Sequence, residues 1–153
     1  MRKLLTVLAV ALVAIGCNDS GGGGGNPTDP SQVNIEFAFS DLVVGTGAEA
    51  VPGTRATFGN WDLWLYDPNG PASKGVHQQG SATVIQGQQI GPITYTVGSN
   101  ELIRGFDMGA RGMKVGGKRR VYVPANLAYG SSGRGQIPPN AALVFEMELT
   151  NVQ

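Results

Sequence analysis

Apolar and polar residues alternate near the end of the chain and predict a strand with one buried face. In the segment LVFEMELT, Leu143, Phe145, Met147 and Leu149 alternate with Val144, Glu146, Glu148 and Thr150. A period of two with acids on one face is typical of a half-buried antiparallel strand. This strand is predicted over residues 142–152, and short β-branched and aromatic runs between glycine-rich breaks predict four more, over residues 33–44, 54–66, 93–97 and 119–123.

One segment, residues 99–111, has its apolar side chains at roughly helical rather than alternating spacing. Ser99 or Asn100 is a candidate N-cap, since either side chain accepts hydrogen bonds from the free N–H groups of a helix start. Several glycines lower the helix propensity of this segment, so a helix here must pack against the sheet to persist. The sequence therefore predicts an α+β fold, in which a bent antiparallel β-sheet of about five strands wraps around one short α-helix.

The first residues, MRKLLTVLAVALVAIGC, have the order of a secretory signal. Two basic residues precede an apolar run at residues 4–15, and small residues precede Cys17. An apolar run of this length is too short to cross about 30 Å of hydrocarbon as a helix. A short hydrophobic anchor or a buried helix is the alternative interpretation.

The ending AIGC resembles the lipobox of bacterial lipoproteins, although Ala14 departs from the leucine that is usual there. The resemblance implies that Cys17 is lipidated and becomes the first residue of the mature chain. Cys17 is the single cysteine, so it has no partner for an intramolecular disulfide. Several acyl chains on one residue would hold the protein firmly to a membrane. We expect a protein of the bacterial cell envelope, lipid-anchored and periplasm-facing, and Asn18 is compatible with the outer membrane.

Composition divides the chain into three parts. Residues 1–16 are the predicted signal peptide, residues 17–32 are the lipidated cysteine with a flexible glycine-rich tether, and residues 33–153 are one small domain. A phosphate-binding loop is a poor interpretation of the glycines, since neither a preceding strand nor a following Gly-Lys-Ser/Thr is present. Without a heptad pattern or a second domain, we expect a monomer whose contact with the membrane is the lipid anchor only.

The charge pattern argues against a nucleic-acid partner. Formal net charge is zero, and loss of Arg2 and Lys3 with the signal would make the mature chain slightly acidic. The single basic cluster, residues 118–120, precedes a strand-like run, and we interpret it as a solvated strand edge.

The sequence contains no motif typical of an enzyme that breaks covalent bonds. His77 is the single histidine, in a stretch rich in glycine, glutamine and serine, and is interpreted as an exposed loop residue. The sequence has no nucleophile elbow and no His/Cys spacing for a metal. We therefore predict no metal and no cofactor, and the candidate chemistry rests on aromatic and aliphatic side chains.

Two long segments give the order of those side chains, VGSNELIRGFDMGARGMKVGGKRRVYVPANLAYG and then IPPNAALVFEMEL. With WLYDPNG at residues 64–70, they resemble the FKBP-type peptidyl-prolyl cis-trans isomerases (EC 5.2.1.8) over residues 40–152. The resemblance implies the same bent sheet around one short helix. It also implies isomerisation of Xaa–Pro bonds, proline-containing unfolded or partly folded polypeptides as partners, and an immunosuppressant macrolide as inhibitor.

The resemblance implies a pocket with three catalytic residues. The Ile103 backbone N–H and the Tyr129 hydroxyl would donate to substrate carbonyls, and Phe145 would lie within the pocket. The implied substrate-binding residues are Trp61, Ile93, Tyr95, Leu102, Phe106 and Ile137. Tyr129 and Ile137 would lie on opposite lips, joined by a glycine-rich loop that flexes over a bound peptide.

This sequence departs from the family pattern in four places, one of which is the loop before Ile137, shorter by one residue and with Arg134 near its tip. Trp61 stands where a tyrosine is usual, and Phe106 replaces the tryptophan of the pocket floor. The Phe-Asp motif that follows the first hairpin is absent, and with it an aspartate of the pocket wall. The main hypothesis is an isomerase that assists the folding of exported proteins in the periplasm. The alternatives are a non-catalytic FKBP-fold chaperone or proline-peptide binding module, and a purely structural envelope lipoprotein.

Overall fold

The structure, a computed structural model, describes residues 32–153 except residues 81, 83, 86 and 87. The predicted signal peptide at residues 1–16, the lipidation site Cys17 and all but the last residue of the tether lie outside the described residues. Within the described ranges, none of the helices has both the length and the apolar character needed to cross a bilayer.

The main sheet has six antiparallel strands. In chain order they are β1 (Ala38–Val43), β2 (Arg55–Tyr66), β3 (Lys74–Gly80), β6 (Ile93–Thr96), β7 (Lys118–Val123) and β8 (Leu143–Val152), while β4 (Val84–Ile85) and β5 (Gln88–Gln89) pair with each other. The order across the main sheet is β1-β7-β8-β2-β3, and β6 pairs with β2. The helix α1 (Arg104–Ala110) and the 3-10 helices Pro71–Ser73, Ala125–Leu127 and Gly130–Ser132 complete the fold.

The predicted α+β fold is confirmed, with one more strand in the main sheet than the sequence indicated and the short pair β4-β5 outside it. The additional strand is β3, whose sequence KGVHQQG has one β-branched residue and carries little strand propensity. Strand β3 forms because it hydrogen-bonds to β2, which is a long strand already fixed in the sheet. His77 is therefore a strand residue, and the loop interpretation is wrong, although its side chain is exposed as expected.

The two longest strands, β2 and β8, form the centre of the sheet. They pair from Ala56 opposite Val152 to Leu65 opposite Leu143. Alternate side chains of β8 are buried as the period of two predicted, but Val144 on the other face is buried as well. The core therefore lies between the concave face of β2 and β8 and the helix that packs across it.

Glycines let helix α1 approach strand β7 closely. A Cβ added at Gly109 would lie 2.6 Å from Val121, and one at Gly105 would overlap Val123. The predicted side-chain N-cap is wrong: the N-cap is Ile103, with no side-chain cap hydrogen bond. Tertiary packing thus overrides the low helix propensity that the glycines impose.

The basic cluster at residues 118–120 is not a solvated edge, and that interpretation is wrong. Its strand, β7, lies between β1 and β8. Arg119 is buried, with 5% exposure, and donates to both carboxylate oxygens of Asp41 on β1 at 2.6 and 3.1 Å. It also donates to the carbonyls of Gly109 and Arg111 at the C-terminus of α1, at 2.9 and 3.0 Å. One side chain thus joins strand β1 to the helix end, where a cation is favourable.

Candidate active site

A cavity of about 170 Å³ opens between the start of helix α1, strands β2, β3 and β8, and the loop that precedes β8. Its lining combines aromatic, aliphatic and charged side chains. They are Trp61, Leu63, Gln79, Ile93, Glu101, Leu102, Ile103, Phe106, Tyr129, Arg134 and Phe145. A concave cleft in which a few polar groups converge on aromatic and aliphatic side chains is the usual form of a small-ligand site.

The floor of the cavity is a cluster of aromatic rings centred on Phe106. Its ring is perpendicular to those of Phe58, Phe145 and Tyr95, with centroids 5.3, 5.4 and 5.9 Å away. Edge-to-face pairs at these distances stabilise the fold by more than the burial of their apolar area alone. Phe106 and Phe145 are only 2% and 4% exposed, so packing fixes the orientation of both rings.

Asp107 holds the floor from below. Its carboxylate accepts hydrogen bonds from the Tyr95 hydroxyl at 3.2 Å, from the Gly98 N–H at 2.7 Å and from Arg111 at 2.5 and 3.1 Å. Burial, and then the neighbouring Asp107 charge, raise the pKa of the Tyr95 hydroxyl, so this hydroxyl remains a donor. The helix that carries Phe106 is thereby tied to β6 and the turn after it.

Two hydrogen-bond donors lie beside the aromatic floor. The carbonyl of Ile103 accepts from Phe106 and Asp107, but the Ile103 N–H makes no hydrogen bond within the described part of the chain. Nor does any described residue hydrogen-bond to the Tyr129 hydroxyl. Both residues line the cavity, so both donors are available to a bound ligand.

The loop over the cavity, residues 130–137, is tied by backbone hydrogen bonds. Arg134 and Ile137 exchange two of them, both 2.9 Å long, and the Asn140 N–H donates to Gly130 at 2.8 Å. Gly133 has φ of 64°, and a Cβ there would lie 2.5 Å from the Ile137 carbonyl oxygen. The loop is thus a tight turn that needs glycine at this position, and its predicted flexing over a bound peptide stays a prediction.

Trp61 forms the β2 side of the cavity. Its indole N–H donates to the Gly91 carbonyl at 2.9 Å, which fixes the ring where the family pattern has a tyrosine. Gln79 of strand β3 supplies the adjoining wall, in the part of the chain that lacks the Phe-Asp motif.

Glu101 supplies a negative charge to the lining. Its carboxylate accepts from the Ser99 hydroxyl at 2.6 Å and from the Thr96 N–H at 3.2 Å. The hydrogen bond from Ser99, followed by that from Thr96, lowers the pKa of Glu101. Glu101 is therefore ionised at neutral pH.

Seven of the nine predicted site residues line this cavity. They are Trp61, Ile93, Leu102, Ile103, Phe106, Tyr129 and Phe145. Tyr95 lies beneath the floor at 1% exposure, and Ile137 is buried in the core. The structure places neither Tyr95 nor Ile137 on the cavity surface; their assigned roles in substrate binding stay predictions.

Four lining residues were missed by sequence reasoning: Leu63, Gln79, Glu101 and Arg134. Leu63 shares a strand face with Trp61 two residues earlier, so the period of two contained that signal. Glu101 and Arg134 are close in sequence to the motif residues. Charged side chains have no sequence periodicity that would place them in the lining of a pocket. Within the described ranges, no group of three or more His, Cys, Asp or Glu side chains is arranged to hold a metal.

Comparison with known proteins gives consistent matches. The family profile of FKBP-type peptidyl-prolyl cis-trans isomerases matches residues 73–150. An FK506-binding protein of Neisseria meningitidis serogroup B is 38% identical over 115 residues, which cover 74% of this chain and 94% of the relative. The chloroplastic isomerase FKBP16-4 of Arabidopsis thaliana is 37% identical over 75% of this chain, but only 47% of the relative is covered.

A solved structure supports the same relationship. FkpA from Escherichia coli is similar with a TM-score of 0.61 and 26% identity, over 76% of this chain and 48% of that one. Several curated relatives are much longer than this chain, which spans 17%, 47% and 24% of the length of three of them.

Proposed function

Because the chain belongs to the FKBP-type peptidyl-prolyl cis-trans isomerase family, we propose that it isomerises Xaa–Pro peptide bonds in the cavity described above. The observation that carries this proposal is the pairing of two free donors, at Ile103 and Tyr129, with an aromatic floor. The reaction requires rotation about a C–N bond and no bond cleavage.

The barrier to that rotation is about 18–20 kcal/mol, because resonance gives the C–N bond partial double-bond character. The planar amide is charge-separated, and a dry apolar pocket disfavours it relative to the less polar twisted amide. Phe106 and Phe145 provide that environment. The proline ring would lie on these rings while the adjoining amide rotates.

The two donors act on the substrate backbone. The Ile103 N–H would hold one substrate carbonyl, and the Tyr129 hydroxyl would donate to a neighbouring one. Interactions that strengthen in the twisted geometry accelerate the reaction, whereas those equal in both states improve binding only. No group in this mechanism gains or loses a proton.

The test is cis–trans exchange of Xaa–Pro peptides, measured by NMR with the purified chain and with an FK506-type macrolide as inhibitor. We expect acceleration that the macrolide suppresses. Replacing Tyr129→Phe should reduce kcat/KM by a modest factor of about three- to tenfold, as expected for one hydrogen bond of roughly 1 kcal/mol. An unchanged rate in this variant would remove Tyr129 from the mechanism.

A second candidate function is a non-catalytic module that binds proline-containing or unfolded segments. Gln79 favours this alternative, because the wall lacks the aspartate of the family motif. A folded chain that binds the macrolide or a proline peptide without accelerating exchange would support the binding module over the enzyme.

We also propose that the protein works as a lipid-anchored monomer, facing the periplasm from the outer membrane and assisting the folding of exported proteins. The lipobox-like ending at Cys17 and the glycine tether support this setting. Replacing Cys17→Ser should release the protein from the membrane fraction and abolish acyl labelling. Membrane association that survives this change would contradict the lipid anchor. A purely structural envelope lipoprotein would show neither peptide binding nor exchange.

A further inference from the structure

We infer that Arg134 gives this site a preference for substrates with a carboxylate side chain directly beside the isomerising proline. This inference rests on the proposed isomerase function and adds a substrate class to it. The occupant is an Asp or Glu residue immediately before or after proline.

The position of Arg134 is the first observation. It lines the same cavity as Tyr129 and Phe145. Its guanidinium carbon lies 5.5 Å from the centroid of the Tyr129 ring, within the range of a cation–π contact. Two backbone hydrogen bonds with Ile137 fix the turn that carries it. The positive charge is therefore held at the mouth of the cavity.

The second observation is that this charge has no partner. No carboxylate of the described residues forms an ion pair with Arg134. Arg111, Arg119 and Arg120 are each paired with a carboxylate. Among the described arginines without an ion pair, Arg134 is the one that lines this cavity. Arg134 is exposed and retains its full hydrogen-bonding capacity for a ligand.

The one acidic side chain in the lining, Glu101, has one carboxylate oxygen occupied within the protein. Glu101 accepts hydrogen bonds from Ser99 and from the backbone of residue 96. An acidic side chain beside the proline finds a free guanidinium on the Arg134 side of the cavity. The planar guanidinium presents its donors as a fork that matches the two oxygens of a carboxylate. The Arg134 side of the cavity mouth is thus suited to an acidic side chain.

The experiment compares isosteric peptides, so that size and shape stay constant while charge changes. Rates of exchange are measured for Glu-Pro against Gln-Pro, and for Pro-Glu against Pro-Gln, with the intact chain. We expect the Glu form to be favoured in kcat/KM by about three- to fivefold in at least one pair, the size of a partly exposed ion pair. The preference should shrink when salt is raised to about 1 M, since screening weakens exposed charge pairs.

Two variants assign the effect to its residue. Arg134→Gln should bring the Glu-to-Gln ratio close to one, and Arg134→Lys should retain part of it. The matched control is Lys114→Gln, which removes an exposed cation that does not line this cavity and should leave the ratio unchanged. The readout is the Glu-to-Gln ratio of kcat/KM. Because Arg134 also contacts Tyr129, its replacement is expected to change the exchange rates of both peptides.

The outcomes separate this inference from the function on which it rests. If the Gln peptides are accelerated but the Glu-to-Gln ratio of kcat/KM is at or below one in both pairs, the inference is wrong and the isomerase proposal stands. The same conclusion follows if the ratio is unchanged in Arg134→Gln. Should no peptide be accelerated, the isomerase proposal fails, and Trp61 in the cavity wall provides a fluorescence signal for peptide binding. Equal dissociation constants for the Glu and Gln peptides would then overturn the carboxylate preference as well.

Discussion

The floor of the cavity and its β3 wall are built in opposite ways. The floor consists of buried rings from α1, β8, β2 and β6 that pack edge to face. The wall is an edge strand whose register against β2 shifts twice, between Leu63 and Trp64 and between Trp64 and Tyr66. Close packing fixes the positions of the rings in the floor. The wall, an edge strand with an irregular register, can change its distance from β2 more easily. Chemistry shared by the family is thus expected to depend on an aromatic floor, which Phe106 retains in place of the usual tryptophan, and larger differences between members are expected on the wall.

The contacts that hold the wall are mostly polar and partly exposed. Lys74 lies 3.1 Å from Glu146 and 4.3 Å from the centroid of the Trp64 ring. His77 lies 3.0 Å from Asp62, with both side chains nearly half exposed. Such pairs contribute about 0–1 kcal/mol each, far less than a buried ring.

The strongest test of this contrast is Phe145→Ala in the floor. The change removes a ring that is 4% exposed and leaves a cavity beside Phe106. We expect a loss of about 3–5 kcal/mol in the free energy of unfolding, and a large fall in kcat/KM for Xaa–Pro exchange. Denaturant unfolding and NMR exchange measure the two effects. Phe145→Leu is the control that keeps an apolar side chain and the fold. Wild-type activity in Phe145→Ala would show that the floor does not create the catalytic environment.

A second test concerns the support of the floor by the glycine contact between α1 and β7. Gly105→Ala should destabilise the fold by about 1–3 kcal/mol, because its Cβ would overlap Val123. Helix propensity alone predicts the opposite sign, a gain of about 1 kcal/mol. In a Val123→Ala background the penalty should shrink, as a double-mutant cycle by chemical denaturation would show. A stabilised Gly105→Ala protein would mean that the helix is free to move away from the sheet.

An intermediate effect is expected at Glu146, where wall and sheet meet. Burial alone would raise the pKa of this carboxyl, but hydrogen bonds from Arg120 and Lys74 outweigh it and lower the pKa. A lowered folded-state pKa means that the stabilisation is present above the unfolded value of about 4.3 and is lost as pH falls through the folded value. Glu146→Gln should cost about 1–3 kcal/mol at pH 7, and its difference from wild type should narrow below about pH 4. The free energy of unfolding of both proteins is measured at each pH. A difference between them that stays constant from pH 7 to below pH 4 would contradict an ionic origin of the stabilisation by Glu146.

The smallest effect is expected at the exposed pair of the wall. His77→Gln should change the free energy of unfolding by less than about 1 kcal/mol, because Asp62 is solvated in its absence. Denaturant unfolding at pH 6 and pH 8 is a sufficient measurement. A loss comparable to that of Phe145→Ala would end the distinction between a packed floor and an adjustable wall.

The same contrast explains what the sequence alone could predict. Strand β8 was predictable because burial of one face imposes a period of two. The aromatic residues from Tyr95 to Phe145 were placed in the pocket by the resemblance to the family. Strand β3 was not readable, since its pairing comes from β2 and its own residues carry little strand preference. The buried roles of Asp107 and Arg119 were also hidden. A charge becomes buried only through partners distant in the chain, such as Asp41 opposite Arg119.

The pairing of β2 with β8 has a consequence for the order of events during synthesis. Partners such as Ala56 and Val152 emerge far apart in time, and β7 also needs β8 as its neighbour. The central sheet therefore cannot close until β8 has been made, and the nascent chain must carry its aromatic floor uncovered until then. A protein proposed to assist the folding of others is thus itself exposed to aggregation until strand β8 has been made.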